Sequence, residues 1–379
     1  MIYLDNAATS FPKPESVYQR LDEFARTSLA NPGRTSHKMA LTAEHVLKDA
    51  RHRLNQFLHG ESPEQFAFTL NCTDALNIAI KGVLRDGDHV ITTNLEHNSV
   101  SRPLRALELA GIISLARMAA DGGGTMDPDA IRQAVTPKTR LIAMTHASNV
   151  LGTLQPITEI GRLARERNIL FLVDAAQTAG TTPLDIQAMN IDLLAFPGHK
   201  ALLGPTGTGA LYVRPGVDIN PWREGGTGGD SASEIQPREW PFYLEGGTPN
   251  VLGVAGLLTG LDYVEKRGVD DIHAHELDLV ARLWQRLDEM PGISIYGHRD
   301  MARHVGTVAF NIEGMASSDV GNILDTSFDI AIRPGMHCAP YIHRAMGTFR
   351  EGAIRASPGP FNSADDIDRL ADALVEITS

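Results

Sequence analysis

The chain has 379 residues, of which 42 % are hydrophobic and 21 % are charged, a balance that is typical of globular proteins and excludes fibres and disordered chains. A chain of this length is expected to form two structural units with a large core. Its formal net charge of −12, from 34 basic and 46 acidic residues, argues against nucleic acid or an anionic membrane as a main partner.

The N-terminus and the cysteines restrict the location of the protein. The segment MIYLDNAATS lacks the basic and apolar regions of a signal peptide, and no apolar run reaches the ~18 residues of a membrane helix. The sequence therefore predicts a cytoplasmic protein. Its two cysteines, Cys72 and Cys338, are too few for a disulfide framework and have no partners at metal-ligand spacing. We expect two reduced thiols and no metal site.

Helical and strand patterns alternate from about residue 42 to residue 255. In chain order they predict a helix over 42–58, a strand over 66–70, a helix over 73–84, a strand over 89–94, a helix over 99–110, a strand over 141–146, a helix over 156–168, and strands over 169–174 and 191–196. Apolar strands separated by helices indicate an α/β fold with a mostly parallel sheet that is covered on both faces. Ligands of such sheets bind at the carboxyl ends of the strands.

A Gly-rich stretch from Gly225 to Gly247 interrupts this alternation and is the candidate domain boundary. Beyond it the sequence predicts helices over 254–268 and about 271–290, strands over 307–314 and 353–357, and a capped, amphipathic helix over 363–377. This order of elements indicates a smaller α+β unit.

Two charged residues follow neighbouring predicted strands. Asp174 ends the run LFLVD, and Lys200 follows the run IDLLAF in a turn rich in Gly and Pro. A helix-capping carboxylate and a solvated lysine are the ordinary interpretations of these residues taken singly. Together they suit pyridoxal 5′-phosphate, because the ring nitrogen of this cofactor needs a carboxylate and its aldehyde needs a lysine of lowered pKa.

Three weaker signals agree with such a cofactor. Thr73 opens a predicted helix whose first turn suits a phosphate, although capping residues open most helices. His97 follows a predicted strand and is placed to lie over a pyridine ring, the alternative being an ordinary loop histidine. Asn149, in HASNVLG, can donate a hydrogen bond to a ring oxygen.

These segments resemble motifs of the class V aminotransferase family, in its cysteine desulfurase and selenocysteine lyase branch. The motifs run in order from about residue 3 to residue 362: LDNAATS, EHNS, HASNVLGT, VDAAQ, GHKALLGPTGTGALY, EGGTPN, RPGMHCAP and IRAS. The resemblance implies the type I fold of pyridoxal-phosphate enzymes, with a large domain built on a mostly parallel, seven-stranded type of sheet and a smaller α+β domain. The large domain would span 15–255, and the small domain, which carries the cysteine loop, would span 1–14 and 256–379. The resemblance also implies a homodimer with active sites at its interface.

The resemblance assigns roles to individual positions. Lys200 would form the Schiff base with the cofactor, and Asp174 would pair with the pyridinium nitrogen. The other implied cofactor contacts are Gln177 at the phenolic oxygen, His97 on the ring with a part in proton transfer, Thr73 and His199 at the phosphate, and Thr248 at the phosphate from the other subunit. Arg355 would bind the substrate carboxylate, unless it forms an ordinary ion pair of the small domain. Asn149 and His37 match positions that line the substrate pocket, and Arg333 is a further candidate for substrate binding.

The sequence departs from the family pattern at two positions near the expected phosphate. Pro197 stands where many members have Ser or Thr, which removes one hydroxyl and one N–H donor. Cys72 lies at the phosphate-binding turn, where a hydroxyl residue is common, and we interpret it as structural. Phosphate binding is then expected to depend more on other groups.

Cys338 follows a Pro–Gly turn in AIRPGMHCAP. The resemblance implies a cysteine desulfurase in which Lys200 removes the α-proton of L-cysteine and the Cys338 thiolate attacks the substrate sulfur, giving L-alanine and a persulfide. The thiol must then be partly exposed, with a pKa lowered by His337 or by a cationic pocket that includes Arg333. A buried, inert cysteine is the alternative. The sulfur would pass to an acceptor protein of unknown identity, for example in iron–sulfur cluster assembly.

Other functions are compatible with the same motifs. A selenocysteine lyase needs the same cofactor residues and depends less on the thiol. A transaminase, a β-lyase or an epimerase would keep Lys200 and Asp174 without using the thiol at all. A non-catalytic scaffold in sulfur transfer is a further alternative, against which the set of Lys200, Asp174 and His97 argues.

Overall fold

The structure is a computed structural model that describes residues 1–33, 37–228, 230 and 232–378. Its strands are β1 (Ile2–Tyr3), β2 (Phe66–Thr69), β3 (Asp88–Thr93), β4 (Ile113–Met118), β5 (Thr139–Thr145), β6 (Leu170–Asp174), β7 (Leu193–Pro197), β8 (Gly209–Val213), β9 (Ile293–Tyr296), β10 (Val308–Ile312), β11 (Ile330–Ala331), β12 (Arg333–Gly335) and β13 (Ala353–Ala356). Its α-helices are α1 (Glu15–Thr27), α2 (Lys38–Phe57), α3 (Cys72–Val83), α4 (Asn98–Leu109), α5 (Pro128–Ala134), α6 (Ile157–Glu166), α7 (Val251–Arg267), α8 (Val269–Asp288), α9 (Ser317–Phe328), α10 (Pro340–Ala345) and α11 (Ala364–Thr378). Short 3₁₀ helices cover Pro63–Gln65 and Met301–Arg303. None of the described helices is long and apolar enough to cross a membrane.

The larger sheet has seven strands in the order β2-β8-β7-β6-β5-β3-β4. Five neighbouring strands, from β7 to β4, pair in parallel, whereas β8 runs antiparallel to both of its neighbours, β7 and β2. The predicted mostly parallel sheet is therefore confirmed, with one antiparallel strand inside it.

Strand β6 illustrates how the sheet is buried on both faces. Successive side chains of a strand point to opposite faces. Phe171 and Val173 pack in one core cluster with residues of α6, while Leu170 and Leu172 pack in a second cluster with residues of α3. Coverage by helices on both sides explains why the apolar run in this strand is unbroken.

A smaller, antiparallel sheet has the order β12-β13-β10-β9. It shares a core with apolar residues of α8, α9 and α11 and with Ile2 and Leu4 of the N-terminal segment, whose strand β1 pairs in parallel with β11. The predicted smaller α+β unit beside the large sheet is thus confirmed. The expected division at residue 255 stays a prediction, and this residue lies inside α7.

Candidate active site

A cavity of about 210 Å³ lies at the carboxyl ends of the parallel strands. Its wall includes Thr145 at the end of β5, Asp174 at the end of β6 and Pro197 at the end of β7. Because these strands are parallel neighbours, the residues that end them meet at one edge of the sheet, where open α/β sheets bind their ligands.

Most of the residues predicted from the sequence line this one cavity. They are Cys72, Thr73, His97, Asn149, Asp174, Gln177, His199, Lys200, Arg333 and Arg355. Three predicted residues do not line it. His37 is exposed at the start of α2, and Thr248 is exposed beside a second cavity of about 600 Å³. The Cys338 thiol is also exposed, directly after His337, which does line the cavity.

Lys200 and Asp174 place groups of opposite charge in the cavity wall. Asp174 is buried, and its Oδ1 accepts a hydrogen bond from the Ala176 amide at 2.9 Å. Burial raises the pKa of this carboxyl, and nearby Lys200 opposes the rise. Burial, assisted by the positive charge of Arg355, lowers the pKa of Lys200 to about 8. A substantial fraction of the amine is therefore neutral near pH 8, as a lysine that reacts with an aldehyde requires.

His97 caps α4 and presents a neutral ring to the cavity. Its Nδ1 accepts a hydrogen bond from the Ser99 amide at 3.1 Å, so the neutral ring carries its proton on Nε2. Burial, together with the positive charges of Lys200 and Arg333, lowers the pKa of His97 to about 4. His97 can therefore stack on a ligand ring and donate from Nε2 without adding a charge.

The N-termini of α3 and α4 meet at one end of the cavity. Asn71 caps α3 by accepting a hydrogen bond from the Asp74 amide at 2.9 Å. The hydroxyls of Thr73 and Ser99, each in the first turn of its helix, are 2.7 Å apart. Two helix N-termini with hydroxyl donors form an end of the cavity that suits a phosphate. Ser99 was not predicted from the sequence. Its position in EHNS, two residues after a histidine that caps a helix, is the signal that could have indicated it.

His199 also lines the cavity and is also neutral. Its Nδ1 is 3.0 Å from the Thr9 hydroxyl. Burial lowers the pKa of His199 to about 4, with additional effects of Lys200 and Lys13. It can therefore offer a hydrogen bond to a ligand without adding a positive charge to the cavity.

Two arginines lie opposite each other on the paired strands β12 and β13. Arg333 and Arg355 are partners in the register of this pair, and both line the cavity. Arg355 is only 1 % exposed. Its Nη1 donates to the Asn149 carbonyl at 2.9 Å and its Nη2 donates to Asp5 at 2.6 Å, while Nε finds no partner among the described residues. A buried guanidinium with an N–H to spare is suited to a carboxylate ligand.

Besides Asn71, two amide side chains line the cavity, and both are partly engaged in hydrogen bonds. Asn149 Nδ2 donates to the His337 carbonyl at 2.8 Å, and Gln177 Nε2 donates to the Ala7 carbonyl at 3.1 Å. Each amide nitrogen carries two hydrogens. Asn149 and Gln177 therefore each keep one N–H that can donate to a cofactor ring oxygen, as predicted from the sequence.

His337 and Cys338 lie in the loop between β12 and α10. His337 is buried, its Nε2 is 2.9 Å from the Ala353 carbonyl, and burial lowers its pKa to about 2. It is therefore neutral near pH 7 and cannot stabilise a Cys338 thiolate by charge, contrary to the expectation from the sequence. Of the two groups considered, only Arg333 remains as a cation.

Cys72 behaves differently from Cys338. Its thiol is buried 3.5 Å from Asp174 Oδ1, and burial raises its pKa well above the usual range. A thiol of this kind is a poor nucleophile. The structure thus supports the interpretation of Cys72 as a structural residue in the wall of the cavity.

The cavity combines the three elements that pyridoxal phosphate needs: a buried amine of lowered pKa at Lys200, a buried carboxyl at Asp174 and an anion-binding end at two helix N-termini. The donor set therefore fits this cofactor, and the fold around it is that of the pyridoxal-phosphate-dependent class V enzymes. The sequence model of the family described as Aminotransferase class-V matches residues 2–370. The chain belongs to the class-V aminotransferase family.

Relatives in this family cover almost the whole chain. A probable cysteine desulfurase of Methanothermobacter thermautotrophicus is 37 % identical over 382 residues, which cover 99 % of this chain and 94 % of the relative. A cysteine desulfurase of Cronobacter sakazakii is 33 % identical, with 100 % and 93 % covered. The apo structure of a cysteine desulfurase from Thermococcus onnurineus superposes with a TM-score of 0.94 at 33 % identity, over 99 % of this chain and 94 % of that one.

Proposed function

We propose that the chain is a pyridoxal-phosphate-dependent cysteine desulfurase that converts L-cysteine to L-alanine and takes the sulfur onto Cys338 as a persulfide. The observation that carries the proposal is the composition of one cavity. Lys200, Asp174 and Arg355 line it together, and His337, whose neighbour Cys338 has an exposed thiol, completes the wall. Curated relatives and a solved structure that match this chain over its full length are named cysteine desulfurases.

The residues of the cavity would hold the cofactor at three points. Lys200 would bind its aldehyde, and Asp174 would hold a proton on its ring nitrogen by placing a negative charge beside it. The phosphate would lie against the first turns of α3 and α4, with Thr73 and Ser99 as hydroxyl donors and His199 as a neutral donor. When bound, the cofactor withdraws electrons from the substrate α-carbon and so makes its proton removable.

Substrate binding and proton transfer would use two further groups. Arg355 would fix the α-carboxylate, and this contact would orient the α-hydrogen towards Lys200. A pKa of about 8 allows the Lys200 amine to take the α-proton and to return it at another atom near neutral pH. The neutral His97 would cover the ring and donate from Nε2, and burial of the cavity would keep bulk water away.

Transfer of the sulfur from the substrate to Cys338 needs no added oxidant. The Cys338 thiolate attacks the substrate sulfur, the carbon–sulfur bond of the substrate breaks, and its electron pair stays with the carbon, which is then protonated to give alanine. One sulfur–sulfur bond forms on Cys338. An acceptor protein with its own thiol would discharge this persulfide.

A second copy of the chain is part of the proposal. Thr248 is exposed and does not line the cavity of its own chain. This position supports the expectation, based on the family resemblance, that Thr248 completes the phosphate end of the other subunit in a homodimer.

Alanine formation by the cofactor-loaded protein tests the proposal. We expect alanine from L-cysteine in the presence of a reductant that discharges the persulfide, and a strong loss of rate in Cys338→Ala. Parallel assays with selenocysteine and with cysteine sulfinate identify the preferred substrate. Cys338→Ala that forms alanine from L-cysteine at the wild-type rate would contradict the proposal.

A further inference from the structure

We propose that Arg117 and Tyr341 form a clamp that positions Cys338 for sulfur transfer. The clamp consists of the Arg117 guanidinium at the end of β4 and the Tyr341 ring in α10, the helix that begins two residues after Cys338. The inference rests on the proposed function of Cys338. Neither residue lines the cavity, so both would act through the loop as positioning residues.

The loop at Cys338 has a backbone that needs external support. His337 and Cys338 both have left-handed backbone angles, with φ of +46° and +57°. Residues other than Gly, Asn and Asp seldom adopt this conformation, and two in succession persist only where the surroundings hold them. The position of the thiol therefore depends on the contacts on either side of it.

Hydrogen bonds hold the loop at its two left-handed residues. The Cys338 carbonyl accepts from the Asn98 amide at 2.7 Å, and the His337 carbonyl accepts from Asn149 Nδ2 at 2.8 Å. Both donors belong to the segments that form the cavity. Past Cys338, the chain continues into α10, which has only six residues and is too short to be stable without docking.

A close cation–π contact contributes to the docking of α10, beside the packing of its Ile342 in the main core. The guanidinium carbon of Arg117 lies 3.7 Å from the centre of the Tyr341 ring. Cation–π contacts are favourable within about 6 Å and become stronger when the cation is removed from water. Arg117 is half-buried, with its Nη2 enclosed, and burial lowers its pKa against the opposing effect of Tyr341.

Arg117 is itself fixed to the strand that leads to His97. Its Nη1 donates to the Thr93 carbonyl at 3.1 Å, and Thr93 ends β3 four residues before His97. Its Nη2 has no hydrogen-bond partner among the described residues. The Tyr341 ring is therefore a close contact of this half-buried cation, and the clamp joins the His97 side of the cavity to the helix that follows Cys338.

Arg344 provides a matched comparison on the outer side of the same ring. It is exposed, and its guanidinium carbon lies 5.3 Å from the centre of the Tyr341 ring and 4.5 Å from that of Phe349. An exposed cation–π contact at this longer distance contributes less. Removal of Arg344 should therefore leave the position of α10 unchanged, whereas removal of Arg117 should release it.

The test separates the thiol-dependent step from the step that needs only the cofactor residues. Exchange of the L-alanine α-hydrogen with solvent deuterium requires Lys200 but no thiol, whereas alanine formation from L-cysteine requires Cys338. We expect Tyr341→Leu and Arg117→Met to lower the second rate about tenfold while the first stays within about twofold of wild type. Tyr341→Phe, which keeps the ring, and Arg344→Met should resemble wild type in both assays.

Two further measurements complete the test. In cofactor-free protein, iodoacetamide should modify Cys338 faster in Tyr341→Leu than in wild type, as measured by mass spectrometry of the Cys338 peptide. The double variant of Arg117→Met and Tyr341→Leu should be no slower in desulfuration than the slower single variant, because each change breaks the same contact.

The inference is overturned if Tyr341→Leu and Arg117→Met desulfurate cysteine at the wild-type rate, or if proton exchange falls in parallel with desulfuration in both. A failure of the proposed function would give a different result. In that case Cys338→Ala would still form alanine from L-cysteine, whatever the rates of Tyr341→Leu.

Discussion

The Arg355 guanidinium donates to the Asp5 carboxylate at 2.6 Å, in the wall of the cavity that would receive the substrate carboxylate. Asp5 thus holds in place a buried cation whose Nε has no partner among the described residues. This arrangement predicts that the shape of the cation matters as well as its charge. Lysine at this position could keep the charge but could not form a forked contact with a carboxylate while also bonding to Asp5.

We therefore expect Arg355→Lys to raise KM for L-cysteine by about tenfold or more, with a smaller change in kcat. Steady-state kinetics of alanine formation measure both constants. Arg282→Lys is the control, because Arg282 forms an exposed ion pair with Asp368. An unchanged KM in Arg355→Lys would argue that the carboxylate binds elsewhere.

The lowered pKa of Lys200 predicts a pH-dependent cost to stability in cofactor-free protein. Burial moves this pKa from 10.5 to about 8, so between these values the unfolded chain binds more protons than the folded chain. The cost is full below pH 8 and disappears as the pH rises to 10.5. Lys200→Met should therefore be more stable than wild type at pH 7, by up to about 3 kcal/mol, and the difference should shrink towards pH 10.5.

Urea denaturation at a series of pH values measures this difference. Lys266→Met serves as the control, because Lys266 is exposed near the end of α7. A difference between Lys200→Met and wild type that stays constant from pH 7 to pH 10.5 would show that the Lys200 amine is not desolvated.

The buried carboxyl of Glu276 should make the stability of the fold depend on pH in the opposite direction. Burial raises the pKa of this α8 carboxyl from 4.5 to about 8, and Arg267 only partly opposes the rise. The folded chain then keeps a proton that the unfolded chain releases, so the contribution of Glu276 to stability falls as the pH rises from 4.5 to 8. Over this range we expect wild type to lose up to about 5 kcal/mol relative to Glu276→Gln. Urea denaturation of wild type and Glu276→Gln over this pH range measures the difference in stability, with a change at the exposed Glu289, Glu289→Gln, as control. Parallel pH profiles of the two proteins would contradict the prediction.

Substitution of Pro197 by a residue with a hydroxyl is expected to raise the affinity for the cofactor. This residue lines the cavity at the end of β7 and has neither a hydroxyl nor an N–H to offer. Pro197→Thr adds a hydroxyl, and a hydrogen bond to a charged phosphate should lower the Kd of pyridoxal phosphate about tenfold. Equilibrium titration of the cofactor-free protein measures the Kd. Pro183→Thr, an exposed site outside this cavity, should leave the Kd unchanged.

Much of the fold could be predicted because its signals are local. The buried run LFLVD and the helical spacing of α6 determine their elements without help from distant residues. Strand β8 was missed, since the short run ALYV follows a Gly-rich turn and nothing in it indicates that it pairs antiparallel between β7 and β2. Pairing direction depends on the path of the whole chain.

The same distinction applies to the site. Asp174 and Lys200 could be predicted to meet, because each follows a parallel strand and neighbouring strands end at one edge of the sheet. The neutral state of His337 could not be predicted, since it results from burial in the assembled fold and from the positive charge of Arg355 on β13. Likewise, the contact between Arg355 and Asp5 joins opposite ends of the chain and left no local signal.

Direct detection of sulfur on Cys338 is the measurement that tests the central claim most directly. The cofactor-loaded protein is treated with L-cysteine, without reductant, and its cysteine-containing peptides are identified by mass spectrometry. The account predicts one additional sulfur atom on the Cys338 peptide, none on the Cys72 peptide, and a yield of alanine that matches the persulfide formed. Alanine that accumulates while the Cys338 peptide stays unmodified would contradict it.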